Sequence, residues 1–208
     1  MKLTENSIES FSALLASDAP APGGGSAAAL QGSLAASLLE MVTKLTIGRK
    51  KYAEHEELMT AVGKEAGSLR KKFIELIDKD TEAYNAVAAV FKMPKESEAE
   101  KIIRAETLEA TLKGSTETPL EIMRTCLALL RLAEKMPGKF NTNAASDLGV
   151  AALSARAAIC GAWLNVLINL KSIKDEDFTE KCRMEGQAML DAGLPIAENI
   201  HKIVMESM

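Results

Sequence analysis

The sequence predicts an all-α fold, a bundle of long and mostly antiparallel helices. Two observations carry that expectation. Apolar residues recur at helical spacing along almost every segment, and no run alternates convincingly in the manner of a strand. The stretches between these segments are short and rich in glycine and proline, so neighbouring helices must turn back on one another. Composition agrees: 47 % of the 208 residues are apolar, only 4 % are aromatic and alanine is abundant, which suits helices packed through small side chains. The length fits a single domain over residues 1–208.

Thr4 is placed to cap a first helix over 5–16, with Ile8, Phe11, Leu14 and Leu15 on one face. The stretch "DAPAPGGGS" (18–26) then breaks the chain. A second helix spans 24–46, and Gly48 stops it. A third runs over 54–91 and ends before Pro94. A fourth covers 96–113, is interrupted by "GSTETP" (114–119) and resumes over 120–135. "MPGKFNTN" (136–143) reads as a loop. A fifth helix spans 146–172, and the last spans 175–206 with a kink expected at 193–195. Gly25, Ala28, Ala29, Gly32, Ala35 and Ala36 form a stripe of small residues, and Ala145, Gly149 and Ala152 form another. Taken alone, such stripes mean close helix packing.

A net charge of −4 argues against a general nucleic-acid binder. Cys126, Cys160 and Cys182 are odd in number and form no CxxC pair, which fits reduced thiols in a cytoplasm. The polar start "MKLTENSIESF" lacks the apolar run of a signal peptide. The most apolar stretch, 157–170, is too short for a bilayer and contains Asn165 and Asn169, so a buried core helix is expected rather than a membrane span. His55 and His201 have no third ligand nearby, and no metal site is expected.

Four stretches could carry chemistry. In "PGGGS" (22–26), Gly23, Gly24, Gly25 and Ser26 leave backbone N–H groups bare at a helix start, where the dipole favours an anion. The stretch matches neither GxGxxG nor GxxxxGK[ST], and as plain structure it is an entry turn capped by Ser26. "GRKKY" (48–52) sets Arg49, Lys50 and Lys51 past a helix carboxyl end, which is either a favourable dipole placement or a site for a polyanion. In "DKDTEAYN" (78–85), Asp78 and Asp80 lie on different helix faces, while Asp80 shares a face with Tyr84. An acid on the apolar side is suited to proton transfer or to facing a cation. In "NTNAASD" (141–147), Asn143 can cap, and Ser146 and Asp147 fall in the first helical turn. Capping accounts for one or two of these residues but not for the whole cluster with Asn141. Together these features suggest an anionic small-molecule ligand without naming it.

The same stretches in this order resemble the formiminotransferase-cyclodeaminase family, in its cyclodeaminase part and its free-standing relatives. The residues that carry the resemblance are "PAPGGGSAAAL" (20–30), "GRKKY", "DKDTEAYNAV" (78–87), "FKMPK" (91–95), "TPLEI" (118–122), "NTNAASDLGVAA" (141–152) and "GAWLNVLINL" (161–170). Thr81 and Tyr84 stand where relatives commonly have alanine and phenylalanine, Phe140 where a glycine is frequent, and Arg49 where lysine is frequent.

The resemblance implies a helical homodimer acting on a reduced folate, often polyglutamylated, with no separate cofactor. Both reactions of the family pass through a tetrahedral carbon between two folate nitrogens. A lone domain favours methenyltetrahydrofolate cyclohydrolase over formiminotetrahydrofolate cyclodeaminase. Asp80, Lys51 and Asp147 are then the expected catalytic residues. Gly23, Gly24, Gly25, Ser26, Arg49, Lys50, Asp78, Tyr84, Asn141, Asn143 and Ser146 are expected to bind substrate, with the amino ends of the second and fifth helices meeting at one pocket. The competing reading is a non-catalytic folate-binding or scaffolding protein, which has no evident need for Asp80, Lys51, Asn143 and Asp147 together.

Overall fold

Six α-helices account for most of residues 2–208, which the computed structural model describes: α1 (Ile8–Leu15), α2 (Gly24–Thr46), α3 (Glu56–Phe91), α4 (Glu98–Ala133), α5 (Ala145–Leu170) and α6 (Glu176–Ser207). Short 3-10 turns cover Leu3–Glu5, Lys50–His55 and Thr142–Ala144, and there is no strand among the described residues. The expected all-α bundle is the observed one.

The small-residue stripe explains the centre of the bundle. Helix α2 packs against α3 on one side and α5 on the other, and α5 also packs against α4 and α6. Ala28, Ala29, Ala35 and Ala36 are buried, so both neighbours approach the α2 backbone closely. Gly32 sits under the ring of Phe73, where a Cβ would overlap the ring carbons. The Cβ of Ala28 would lie 3.4 Å from a Cβ built on Gly161 of α5. Around this seam Leu39, Phe73, Leu76, Met123, Leu130, Leu148 and Ile159 are fully buried.

Helix α2 begins and ends where its glycines predict. Gly48 has φ +75°, a left-handed conformation that an L-residue with a Cβ rarely takes, and it turns the chain two residues past the last helical residue. Gly138 (φ +77°) does the same in the loop before α5.

Three local expectations fail for physical reasons. Thr4 does not cap a helix: its hydroxyl donates to Asp78 Oδ2 at 2.9 Å, and the Leu3 N–H donates to Asp78 Oδ1 at 2.6 Å. Helix α1 therefore starts later, with Ser7 as its cap, and buries only Phe11 while Ile8 and Leu15 stay exposed. The interruption expected at 114–119 is absent, and α4 is continuous through Pro119. Proline lacks an N–H for the carbonyl four residues back, that of Ser115. Asn169 Nδ2 donates to that carbonyl at 3.3 Å, so a neighbouring helix supplies the missing donor. The cap at the start of the fifth helical segment is Asn141, whose side chain accepts from the Asn143 N–H at 3.2 Å; Asn143 itself does not cap.

The apolar segment is also longer than the sequence suggested. The segment Thr142–Leu170 is long and apolar enough to cross a bilayer, its most apolar stretch reaching a mean hydropathy of 1.5. In the fold Ala152, Ala155, Ala158, Ile159, Ala162 and Val166 face the other helices. Helix α6 runs unbroken through Gly193 and Pro195.

These contacts separate two glycines sharply. Gly32→Ala should destabilise the protein by about 1–3 kcal/mol, the usual cost of overpacking. Gly114, exposed within α4 with nothing near its missing side chain, should tolerate alanine and gain about 1 kcal/mol. Denaturant melts of both variants check this, and equal destabilisation would contradict the packing.

Candidate active site

Helix α2 starts against a carboxylate from α3. The first N–H groups of a helix have no partner within it. Asp80 Oδ2 accepts from the Ser26 N–H at 2.7 Å and from the Ser26 hydroxyl at 3.0 Å. Ser26 Oγ also lies 3.0 Å from the Ile77 carbonyl and 3.4 Å from Thr81 Oγ1. Asp80 thus caps α2 from outside, where the helix dipole favours negative charge. Gly25 makes room for it, because a Cβ on Gly25 would overlap the Asp80 carboxylate. Gly24 is held close to the Asn165 side chain, 3.2 Å from where its Cβ would be.

Asp80 is half-buried, and burial pushes its carboxyl above the usual carboxylate range, against the pull of its two Ser26 bonds. A cleft of about 340 Å³ opens beside it. Pro20, Gly23, Gly24 and Gly25 line it with backbone, Tyr84 and Val87 with α3 side chains, and Ser115, Asn165 and Asn169 with polar groups from α4 and α5. An acid able to hold its proton, bare helix-start backbone and two carboxamides can bind a polar heterocycle and exchange a proton with it.

The basic turn lies at the opposite end of α2. Arg49, Lys50, Lys51, Tyr52, Asn141, Thr142 and Asn143 line a second cleft, of about 260 Å³. Asn141 joins α2 to the start of α5: its Nδ2 donates to the Leu45 carbonyl at 3.1 Å, and its N–H donates to Thr46 Oγ1 at 3.0 Å. Asn143 and Ser146 are exposed, and Asp147 is half-buried in the first turn of α5. The 23 residues of α2, at about 1.5 Å each, hold its ends about 35 Å apart.

The expected single pocket is therefore not formed within one chain. Helices α2 and α5 are antiparallel, so the amino end of α2 meets the carboxyl end of α5. Gly23, Gly24, Gly25, Ser26, Asp80 and Tyr84 gather at one cleft; Arg49, Lys50, Lys51, Asn141 and Asn143 gather at the other, with Ser146 and Asp147 on that side. Asp78 belongs to neither, since its carboxylate holds Leu3 and Thr4. Sequence reasoning passed over Asn165 and Asn169, read only as marks against a membrane span, and Tyr52, the last letter of a charged motif. The signal for the asparagines was two carboxamides four residues apart in an otherwise apolar helix.

Fold and clefts together define an all-helical protein with an acid seated on the amino end of its central helix. Residues 7–188 match the family model described as formiminotransferase-cyclodeaminase, and the chain belongs to that family. A methenyltetrahydrofolate cyclohydrolase of Methylorubrum extorquens is 41 % identical over 197 residues, which cover 95 % of each chain. The formimidoyltransferase-cyclodeaminase of Rattus norvegicus is 31 % identical over 90 % of this chain, which spans 35 % of the rat protein. The crystal structure of formiminotetrahydrofolate cyclodeaminase from Thermotoga maritima superimposes with a TM-score of 0.88, at 29 % identity and over 99 % of this chain and 98 % of that one.

The raised carboxyl has a consequence for stability. A carboxyl whose folded pKa lies above its unfolded one weakens the fold as pH rises through that window, because the charged form is the buried one that is disfavoured. Asp80→Asn keeps an oxygen for both Ser26 donors and removes the charge. At pH 7 the variant should melt above the wild type, and the gap should close below the ordinary carboxylate range. A variant that melts lower at pH 7 would mean that Asp80 stabilises the fold as an anion.

Proposed function

We propose that this chain is a folate one-carbon enzyme, a methenyltetrahydrofolate cyclohydrolase, that works without a separate cofactor in the cytoplasm. The observation that carries the reading is Asp80, a carboxyl raised by burial and fixed on bare glycine backbone at the wall of a polar cleft. The methenyl bridge is cationic, and a carboxylate beside it offsets the positive end of the α2 dipole. In its protonated form the same group can hand a proton to a departing folate nitrogen. Support comes from the Methylorubrum protein named for this activity, which matches nearly end to end. The long bifunctional relatives also carry a part that this chain does not span. Cyclodeaminase chemistry at the same carbon is the second reading, favoured by the named activity of the Thermotoga structure.

The same proposal includes a homodimer in which two chains complete each site. The acid and the cations lie about 35 Å apart within one chain and cannot both touch one reacting carbon. Leu34, Met41 and Leu45 form an exposed apolar stripe along α2, and Val150, Leu153, Leu164 and Ile168 do so on α5. A two-fold axis near Leu34, the middle of α2, reverses the helix on its copy. That arrangement covers the stripes and brings the basic turn of each chain to the Asp80 cleft of the other. Opposite charges then meet at both ends. In this dimer Lys51 sits at the reacting end of the folate with Asp147 orienting its neighbours, and Arg49 and Lys50 face the glutamate tail.

The absorbance of methenyltetrahydrofolate, followed against its spontaneous hydrolysis, tests the activity. Asp80→Asn should lower turnover about 100- to 10,000-fold while the protein stays folded and binds folate; near wild-type turnover would remove Asp80 from the chemistry. Lys50→Ala should weaken polyglutamylated substrate about two- to fivefold more than monoglutamate, with the difference shrinking at high salt. Leu34→Glu sets like charges against each other at the axis and should give monomers by light scattering, with turnover lost alongside. A monomeric wild type at micromolar concentration would overturn the shared site.

A further inference from the structure

We propose that Tyr52 is the base of the reaction, its phenol oxygen taking a proton from the water that attacks the bridging carbon. This rests on the reading of methenyl hydrolysis at a site shared by two chains, and it adds a residue that neither the sequence motifs nor the relatives' names assign.

The turn Lys50–His55 treats Tyr52 unlike its neighbours. It alone is buried there, at 8 % exposure, and inside the turn its backbone leaves helical geometry, with φ −117° and ψ 16°. The twist turns its hydroxyl towards the start of α5 and into the cationic cleft. The Thr142 N–H donates to the phenol oxygen at 3.2 Å, and Thr142 Oγ1 lies 3.4 Å away, free to donate as well. The Lys51 ammonium stands 5.1 Å from the ring centroid. The backbone donates to the Tyr52 hydroxyl, and that bond strengthens on the phenolate. The charged groups lining the cleft, Arg49, Lys50 and Lys51, are all cationic. The other titratable groups of the turn are Glu54 and His55, paired at 3.5 Å, and the first turn of α5 adds Asp147. Thr142's two contacts and then Lys51 bring the phenol down to about 8.

Tyr52 and Asp80 then form a complementary pair: a phenol lowered by donors and a carboxyl raised by burial. Water adds its oxygen to the methenyl carbon and gives one proton to the Tyr52 phenolate, which neutralises the cation. The Asp80 carboxylate takes the proton left on the added oxygen as the carbonyl forms and hands it to the folate nitrogen whose bond to that carbon breaks. Tyr52 releases its proton to solvent, so each turnover consumes one water and yields one proton.

Tyr52→Phe keeps the ring and removes the oxygen. Turnover should fall about 100- to 10,000-fold with circular dichroism unchanged. The phenolate absorbance of wild type minus Tyr52→Phe should titrate near 8, and wild-type kcat should rise through the same pH. Thr142→Val removes only the hydroxyl donor and should move that limb to higher pH, which a purely structural role for Tyr52 would not do. Co-refolding inactive Asp80→Asn with inactive Tyr52→Phe should restore about a quarter of wild-type activity, because half the dimers are mixed and each has one intact site. An active wild type matched within threefold by Tyr52→Phe overturns the role of Tyr52 alone. Loss in Tyr52→Phe without restoration in mixed dimers overturns its supply by the partner. A wild type that leaves methenyltetrahydrofolate at its spontaneous rate overturns this proposal together with the function it rests on.

Discussion

The bond from the Ser26 N–H to the Asp80 carboxylate sets the positions of everything else in the site. It joins the first turn of α2 to the middle of α3, and it can form only because Gly25 has no side chain. The carboxyl is half-buried and loses hydration, yet it faces donors that prefer its charged form. Burial prevails between these opposing effects and holds the carboxyl above the usual carboxylate range. The run of glycines before α2 is therefore a seat for an acid as well as an entry turn. The helix dipole, which a bare helix start would offer to a ligand anion, is already engaged by the protein's own carboxylate.

The second constraint is the length of α2. A straight helix cannot bring its two ends together, and the small residues that let α3 and α5 pack on it also hold it in place. The acid and the cations occupy opposite ends as a result. An exposed apolar stripe between two complementary ends fits isologous pairing, in which every contact occurs twice. A single chain offers half of each proposed site at either end, and in the proposed dimer four halves make two whole sites.

Much of the fold was legible in the sequence because local and tertiary preferences agree there. The bounds of α2 follow from the glycines that flank an alanine-rich run, and Pro94 falls just past the end of α3. The errors arise where a distant partner overrides a local signal. Gly114 and Pro119 read as a break because the carboxamide of Asn169, fifty residues on, is invisible to local reasoning. Thr4 read as a cap because nothing in the chain announces that Asp78 will bind it. Among the site residues, Asp80 stood out as an acid on an apolar face, whereas Tyr52 was hidden in a charged run and Asn141 proved to be tied to α2. The gathering of two clefts was illegible because period and motif order carry no information on which helix ends are neighbours.

A crystal structure with a bound, unreactive reduced folate tests the role of Asp80 and the shared site together. The two bridge nitrogens should lie within hydrogen-bond reach of Asp80, with the heterocycle between Gly24 and Asn165 and the Lys51 and Tyr52 of the partner subunit closing the pocket. A folate seated wholly within the Arg49–Asn143 cleft of one chain, with its bridge far from Asp80, would contradict both.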